Sequence, residues 1–262
     1  MVLENVKHNL DYLTTLVNKS GLKQSEYLAS HLKRFAVSLS LVPEAQRKNL
    51  TALDIDYVDV VAYALKDRLG YASVAGTLFS EEQKSYYIQM PQFKDEHWYR
   101  IFEMNLEKHT FDCKAHSFDL ITCFEVVEHL DVDPMFFINE LNRILAPGGT
   151  VVMTTPNSAS SRNVWKILNG YRPHFYMQYE RDRSPYRHNF EYDVHALKGL
   201  LEAGGFTVGE VHSEDVFEEP VAQALTILKN LSLPTVLRGD DLMIVAKKSG
   251  PPKDRYPAAI YA

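Results

Sequence analysis

A chain of 262 residues, 45% hydrophobic and 24% charged, can bury one sizeable α/β core with elaborations and is short for two. No apolar run reaches the ~18 residues of a membrane span, and Glu4, Lys7, Asp11 and Lys19 break up the start, so neither membrane insertion nor a signal peptide is expected and the location expected is cytoplasmic. A net charge of −6 argues against nucleic acid as a partner, because extended nucleic-acid binding leaves a basic footprint.

Leu3, Val6, Leu10, Leu13 and Val17 recur at helical spacing, as do Leu28, Leu32, Phe35, Leu39 and Val42, with Gly21 between the two runs. Residues 1–48 therefore form an N-terminal helical cap. From Ala52 short apolar strands alternate with helical stretches, the pattern of a largely parallel sheet covered on both faces. Strands are expected at Thr51–Ile55, Ser73–Leu78, Tyr99–Met104 and Phe118–Cys123, the last ending in Phe124-Glu125. Cys113 and Cys123 have no metal-type spacing and receive no chemistry. Asp133-Pro134 opens a helix with the inner stripe Phe137, Leu141 and Ile144, and Pro147-Gly148-Gly149 stops it before a strand at Thr150–Thr154. A helix at His195–Ala203 and strands at Phe206–Val211 and Leu242–Ala246 complete a core of residues 49–247. Within it, 158–190 is too long for an ordinary connection and reads as a mobile lid. The tail, 248–262, carries Pro251, Pro252 and Pro257 and is expected to be extended or loosely attached.

The run from Ser117 through Glu125-Val126-Val127-Glu128-His129-Leu130 resembles the fourth-strand segment of class I methyltransferases that use S-adenosyl-L-methionine. Glu140–Gly149, then Thr154-Thr155-Pro156-Asn157, Arg187–Tyr192 and Glu202–Phe206 continue the resemblance over roughly residues 99 to 211. It implies a Rossmann-like class I methyltransferase fold, a mostly parallel seven-stranded sheet with helices on both faces. Thr155–Ser160, Gly170, Pro173, Tyr179 and Tyr186–Asn189 resemble the branch associated with bacterial polysaccharide and glycolipid modification. A small-molecule or glycan acceptor, sugar-containing or anionic and methylated on oxygen, follows as an expectation; homo-oligomer formation stays open.

The resemblance places the cofactor near Asp54, Asp56, Asn105, Leu106, Phe124 and Glu125. Asp56, Val58 and Val60 stand where glycines are expected after the first strand, where only glycine lets the backbone approach the cofactor's methionine part. The second strand lacks the acidic residue that would hold the ribose, unless Glu81 or Glu82 serves. Glu125, His129 and His188 are the catalytic candidates, and Tyr186, Arg187 and Asn157 the acceptor-binding ones. Arg162, Lys166, Arg172, Arg181, Arg183 and Arg187 make the insertion basic, and Trp165, Tyr171, Phe175, Tyr176, Tyr179 and Tyr186 make it aromatic. Two alternatives stand beside this reading. One is a scaffold that keeps the fold without the cofactor. The other is a metal-assisted small-RNA 2′-O-methyltransferase, since Glu125, Glu128, His129 and His188 resemble that family's metal ligands; the four are not expected to converge, and no metal is assigned.

Overall fold

The computed structural model describes residues 2–21, 26–173 and 186–261. Helices α1 (Val2–Lys19) and α2 (Glu26–Ser40) lead into β1 (Thr51–Ile55), α3 (Asp59–Asp67), β2 (Ser73–Phe79), β3 (Lys84–Met90) and β4 (Asp95–Met104). Then follow β5 (Phe118–Phe124), α4 (Pro134–Ile144), β6 (Leu145–Pro156), α5 (Ser161–Leu168), α6 (Val194–Ala203), β7 (Phe206–Glu214), α7 (Ala222–Asn230), β8 (Asp241–Lys248) and α8 (Ala258–Tyr261).

The sheet runs β3-β4-β2-β1-β5-β6-β8-β7. Its five inner strands from β4 to β6 are parallel, whereas β3, β7 and β8 pair antiparallel with their neighbours. Among the described residues the sheet has eight strands in place of the seven expected. The extra one, β3, forms a hairpin with β4, and its mostly solvated side chains lack the apolar run that marks the central strands.

Successive residues of each central strand feed opposite faces, as the two-residue repeat of a strand requires. Leu53, Ile121 and Val151 pack with Phe137, Leu141, Leu197 and Leu200, while Ala52, Leu120 and Val152 pack with Phe35, Leu39, Val60 and Leu65. The N-terminal helices thus cover one face of the sheet.

Helix α4 starts where Asp133 Oδ1 accepts the Phe136 N–H at 3.1 Å and Pro134 occupies the first turn. The helix ends before Pro147-Gly148-Gly149, which lies inside β6 beside a register shift against β5. The tail is tied down, contrary to expectation. Asn142 Nδ2 donates to the Gly204 and Gly250 carbonyls at 2.7 and 2.9 Å, and the Lys253 N–H donates to the Ala203 carbonyl at 2.7 Å.

β1 marks the point where the strand order reverses: β2 lies on one side and β5 on the other. Open parallel sheets leave a crevice at the carboxyl ends of such strands.

Candidate active site

The turn after β1 is built without glycine. Asp56 takes φ 57°, the left-handed conformation that glycine usually supplies and that aspartate tolerates better than most residues. Its N–H donates to Thr77 Oγ1 at 2.9 Å and the Tyr57 N–H to the Thr77 carbonyl at 2.8 Å, pinning the turn to β2. Tyr57 then lies over Gly76, where an added Cβ would meet its ring at 2.4 Å. The required glycine sits on β2. Val60 is fully buried in the core, so only Val58 of the two valines borders the crevice.

Beneath the turn, the buried Asp54 accepts from Thr122 Oγ1 at 2.7 Å and from the Val58 N–H at 3.2 Å. Burial pushes its carboxyl up to about 7, against the opposing pull of those two hydrogen bonds.

A cavity of about 220 Å³ opens beyond β2 and β4, lined by Asp56, Leu78, Glu81, Asn105, Leu106, Val126, His129 and Tyr186, among others. Glu81 reaches it from just past the end of β2 and accepts from Asn105 Nδ2 at 3.1 Å and from Lys108 Nζ at 2.6 Å. The lysine holds its carboxyl below the usual range. An acidic side chain therefore does border the cavity beyond this strand, supplied by the loop.

A second cavity of about 820 Å³ lies over the ends of β1, β5 and β6, with Arg34, Asp56, Glu125, Glu128, His129, Asn157, Tyr186 and His188 in its wall. Asp56, His129 and Tyr186 belong to both cavities. Arg34 enters from α2. Its Nη2 donates to the Tyr27 hydroxyl at 3.2 Å, while Nε and Nη1 are buried without a partner. Orphaned buried donors of a guanidinium are costly, so they point to an anion that belongs between them.

Carboxylates crowd the same wall. Glu125 sits at φ 58°, an uncommon conformation for this residue, held by its N–H donating to the Thr154 carbonyl at 3.0 Å and by Thr154 Oγ1 donating to its Oε1 at 2.8 Å. Glu128 is fully buried; its Oε2 accepts from Thr155 Oγ1 at 3.0 Å, and its Oε1 has no partner. Asp241, buried behind the wall at the start of β8, faces Glu125, and neither of its carboxylate oxygens meets a donor. Burial first, and the neighbouring Glu125 second, hold both Glu128 and Asp241 well above the usual carboxylate range.

His129 and His188 stack edge to face with centroids 5.0 Å apart. The carbonyl of Arg187 takes His129 Nδ1 at 3.1 Å, and Glu191 Oε1 takes His188 Nδ1 at 3.2 Å. Burial pushes His129 down to about 4, so it is neutral at pH 7.

The expected residues thus divide. Asp54 lies beneath the crevice, Phe124 borders a small pocket of about 30 Å³ beside Arg34, and Asp56, Asn105, Leu106, Glu125, His129, Tyr186 and His188 line the two larger cavities. Asn157 reaches the wall, but its Nδ2 is committed to the Leu237 and Gly239 carbonyls at 3.1 and 2.8 Å and its Oδ1 accepts the Ala159 N–H at 3.0 Å. It is a clamp on the loop before β8. Arg187 lines neither cavity; its carbonyl orients His129. Glu128, His129 and His188 bring their side-chain N and O atoms within 4.8 Å of one another, because the Arg187–Glu191 loop packs on the turn after β5: the Asn189 N–H donates to the Glu128 carbonyl at 2.8 Å. Glu125 is not among them. Of the basic insertion, Arg162 pairs with Glu218, while Phe175, Tyr176, Tyr179, Arg181 and Arg183 lie outside the described residues. Arg34, Asp241 and Glu191 were not singled out from the sequence. Arg34 stands beside Phe35 in an amphipathic stripe, where an arginine reads as a solvated charge.

Comparison with known proteins agrees with this architecture. The chain of a methyltransferase in complex with the Trm112 activator of Haloferax volcanii superimposes with a TM-score of 0.57 at 15% identity, covering 88% of this chain and 97% of that one. A SAM-dependent methyltransferase of Archaeoglobus fulgidus gives 0.53 at 18% identity, covering 88% and 98%, and one of Thermotoga maritima gives 0.53 at 17%, covering 90% and 99%. At such identities the likeness concerns the fold. A search of curated protein sequences found no match. The family model described as "Methyltransferase domain" matches residues 35–211, from Arg34's neighbour on α2 through the Arg187–Glu191 loop into β7, and by that match the chain belongs to the methyltransferase domain family.

Proposed function

We propose that this protein transfers a methyl group from S-adenosyl-L-methionine to an oxygen of a polar acceptor, sugar-containing or anionic. The observation that carries the reading is the meeting of two cavities at Asp56, His129 and Tyr186, one sized for a nucleoside and the other open to an acceptor. The cofactor supplies an electrophilic methyl group on a positively charged sulfur. The residues present fit it. Arg34 offers two unpaired buried N–H groups to its α-carboxylate, and Asp56 and Glu125 offer negative charge to its ammonium and sulfonium groups. Glu81 would hold the ribose hydroxyls, and Asn105 and Leu106 would meet the base. Asp54 holds the turn through the Val58 N–H.

Methyl transfer is an in-line displacement that needs no nucleophilic side chain, so the chain's task is to align the acceptor and exclude water. A hydroxyl acceptor must also lose a proton. His129 and His188 face it, with both Nδ1 atoms held by acceptors and both Nε2 lone pairs left over. The polysaccharide-type character of the acceptor rests on the resemblance of Thr155–Ser160 and Tyr186–Asn189 to that branch and on the polar wall those segments contribute.

Calorimetric titration with S-adenosylmethionine and S-adenosylhomocysteine tests the reading. Both should bind, and Arg34→Ala should weaken both by about 10- to 100-fold, the worth of a charge-assisted pair. Absence of heat with either ligand would instead favour a scaffold that has kept the fold and lost the cofactor.

A further inference from the structure

Five of the six large aliphatic side chains that stand exposed among the described residues lie in two segments: Ile167 and Leu168 on α5, and Leu231, Leu233 and Val236 after α7. With Tyr171 just beyond α5 they are between 49% and 72% exposed, too much for side chains at the margin of a core. Helix α5 is inverted. It buries Ser161 and Asn163 and turns Ile167 and Leu168 to water, the reverse of an amphipathic helix on a water-facing surface. The two segments share one face. Helices α5 and α7 pack against each other and leave from one corner, where Ser161 Oγ accepts the Val221 N–H at 3.1 Å. The Ser161 N–H donates to the Arg238 carbonyl at 2.8 Å, which brings the chain after α7 back to that corner. The ends of both helices and the returning segment therefore lie side by side.

Charge sets this face apart from the rest of the surface. Residues 160–173 and 221–238 hold Arg162, Lys166, Arg172, Lys229 and Arg238 and no aspartate or glutamate, in a chain whose net charge is −6. Glu218 and Glu219 come before α7, on the starting side of the pair, and Glu218 is matched there by Arg162. Aliphatic groups in a basic surround suit an anionic lipid surface, whose headgroups attract lysine and arginine and whose interface admits apolar side chains. A protein partner fits less well. Protein interfaces centre on aromatic anchors and arginine, whereas five of these six exposed side chains are aliphatic.

We propose that the α5–α7 face docks the protein on the surface of an anionic phospholipid bilayer. No helix among the described residues is long and apolar enough to cross a membrane, and the contact is peripheral. Ile167, Leu231 and Leu233 enter the headgroup region, and Lys229 stays at the phosphates beside them. Arg162 and Lys166 of α5 also line the larger cavity, so a docked bilayer lies close to that cavity's wall. Docking is separate from methyl transfer, since it needs neither the methyl donor nor an acceptor.

The test is sedimentation of the full chain with phospholipid vesicles. Vesicles of phosphatidylcholine mixed with phosphatidylglycerol should bind it, those of phosphatidylcholine alone at least about 10-fold more weakly, and high salt should weaken the binding. A double variant, Leu231→Ser with Leu233→Ser, should bind mixed vesicles at least about 10-fold more weakly. Both leucines lie outside the core, so its denaturant midpoint should match the wild type. Lys229→Gln should weaken binding about fivefold, the equivalent of about 1 kcal/mol for one basic residue at the surface. Tyr87→Ser, on the edge strand β3, should leave it unchanged. No binding to mixed vesicles, equal binding to neutral ones, or full binding by the folded double variant would overturn the proposal. Self-association that the double variant abolishes, without vesicle binding, would also overturn it and assign the face to a second copy of the chain.

Discussion

Asp54 carries a load that its place in the fold makes measurable. Its carboxyl titrates near 7 because burial opposes ionisation more than Thr122 and Val58 favour it. The folded state therefore holds the proton more tightly than the unfolded one, whose pKa is near 3.8. Between pH 4 and pH 7 this residue removes stability as pH rises, by at most about 1.4 kcal/mol per pH unit, and above 7 its contribution is constant. Asn fits the same hydrogen bonds, its oxygen taking the Val58 N–H and its amide donating to Thr122. Urea unfolding at pH 4.5 and pH 8 should show Asp54→Asn gaining on the wild type as pH rises; an unchanged difference would mean the carboxyl does not titrate in this window. Asn157 poses the opposite case, a polar side chain beside a cavity whose hydrogen bonds all run to backbone. Asn157→Ala strands the buried Gly239 carbonyl and the part-buried Leu237 carbonyl and should lower unfolding free energy by about 1–3 kcal/mol, read by denaturant midpoint, while cofactor affinity stays within about threefold.

At the scale of elements, the central strands were legible because they are buried on both faces and read as apolar runs, as in Phe118–Cys123. The first strand, Thr51–Ile55, is where the sequence placed it. β3 was not legible, since Lys84–Met90 alternates exposed and partly buried side chains at a sheet edge. Helix α7 escaped notice for a related reason, with Ala224 and Leu228 its only fully buried positions. The site followed the same division. Residues at strand ends, and the grouping of Glu128 and His129 with His188, were found by resemblance, whereas Arg34 became visible only once α2 was packed over β1. The docked tail was missed because its prolines suggest an extended segment, and nothing local announces that Asn142 reaches across to Gly250. Gly205 matters here as well: its φ of 85° and the 2.5 Å approach of the Gly250 carbonyl to an added Cβ leave room for no other residue. Asn142→Ala should cost about 1–3 kcal/mol and raise amide exchange across residues 250–261, with α8 detaching from α6. Unaltered exchange there would show that the tail is held by its apolar contacts alone.

At the scale of the whole molecule, the candidate site draws on α2, the ends of β1, β5 and β6, α5, the loop before α6 and the residue before β8. The last strand has a further consequence. β8 lies between β6 and β7 and pairs with both, and its Leu242, Met243 and Ile244 are fully buried. During synthesis β6 leaves the ribosome about 90 residues ahead of β8, by subtraction of the strand positions, and until β8 arrives the edge of β6 has no neighbour. A nascent chain in that interval presents an apolar, unpaired strand edge of the sort that recruits other strands. The vulnerable interval in the life of this protein therefore lasts until β8 has emerged, and a chaperone that shields the β6 edge would serve it more than one that aids the N-terminal helices.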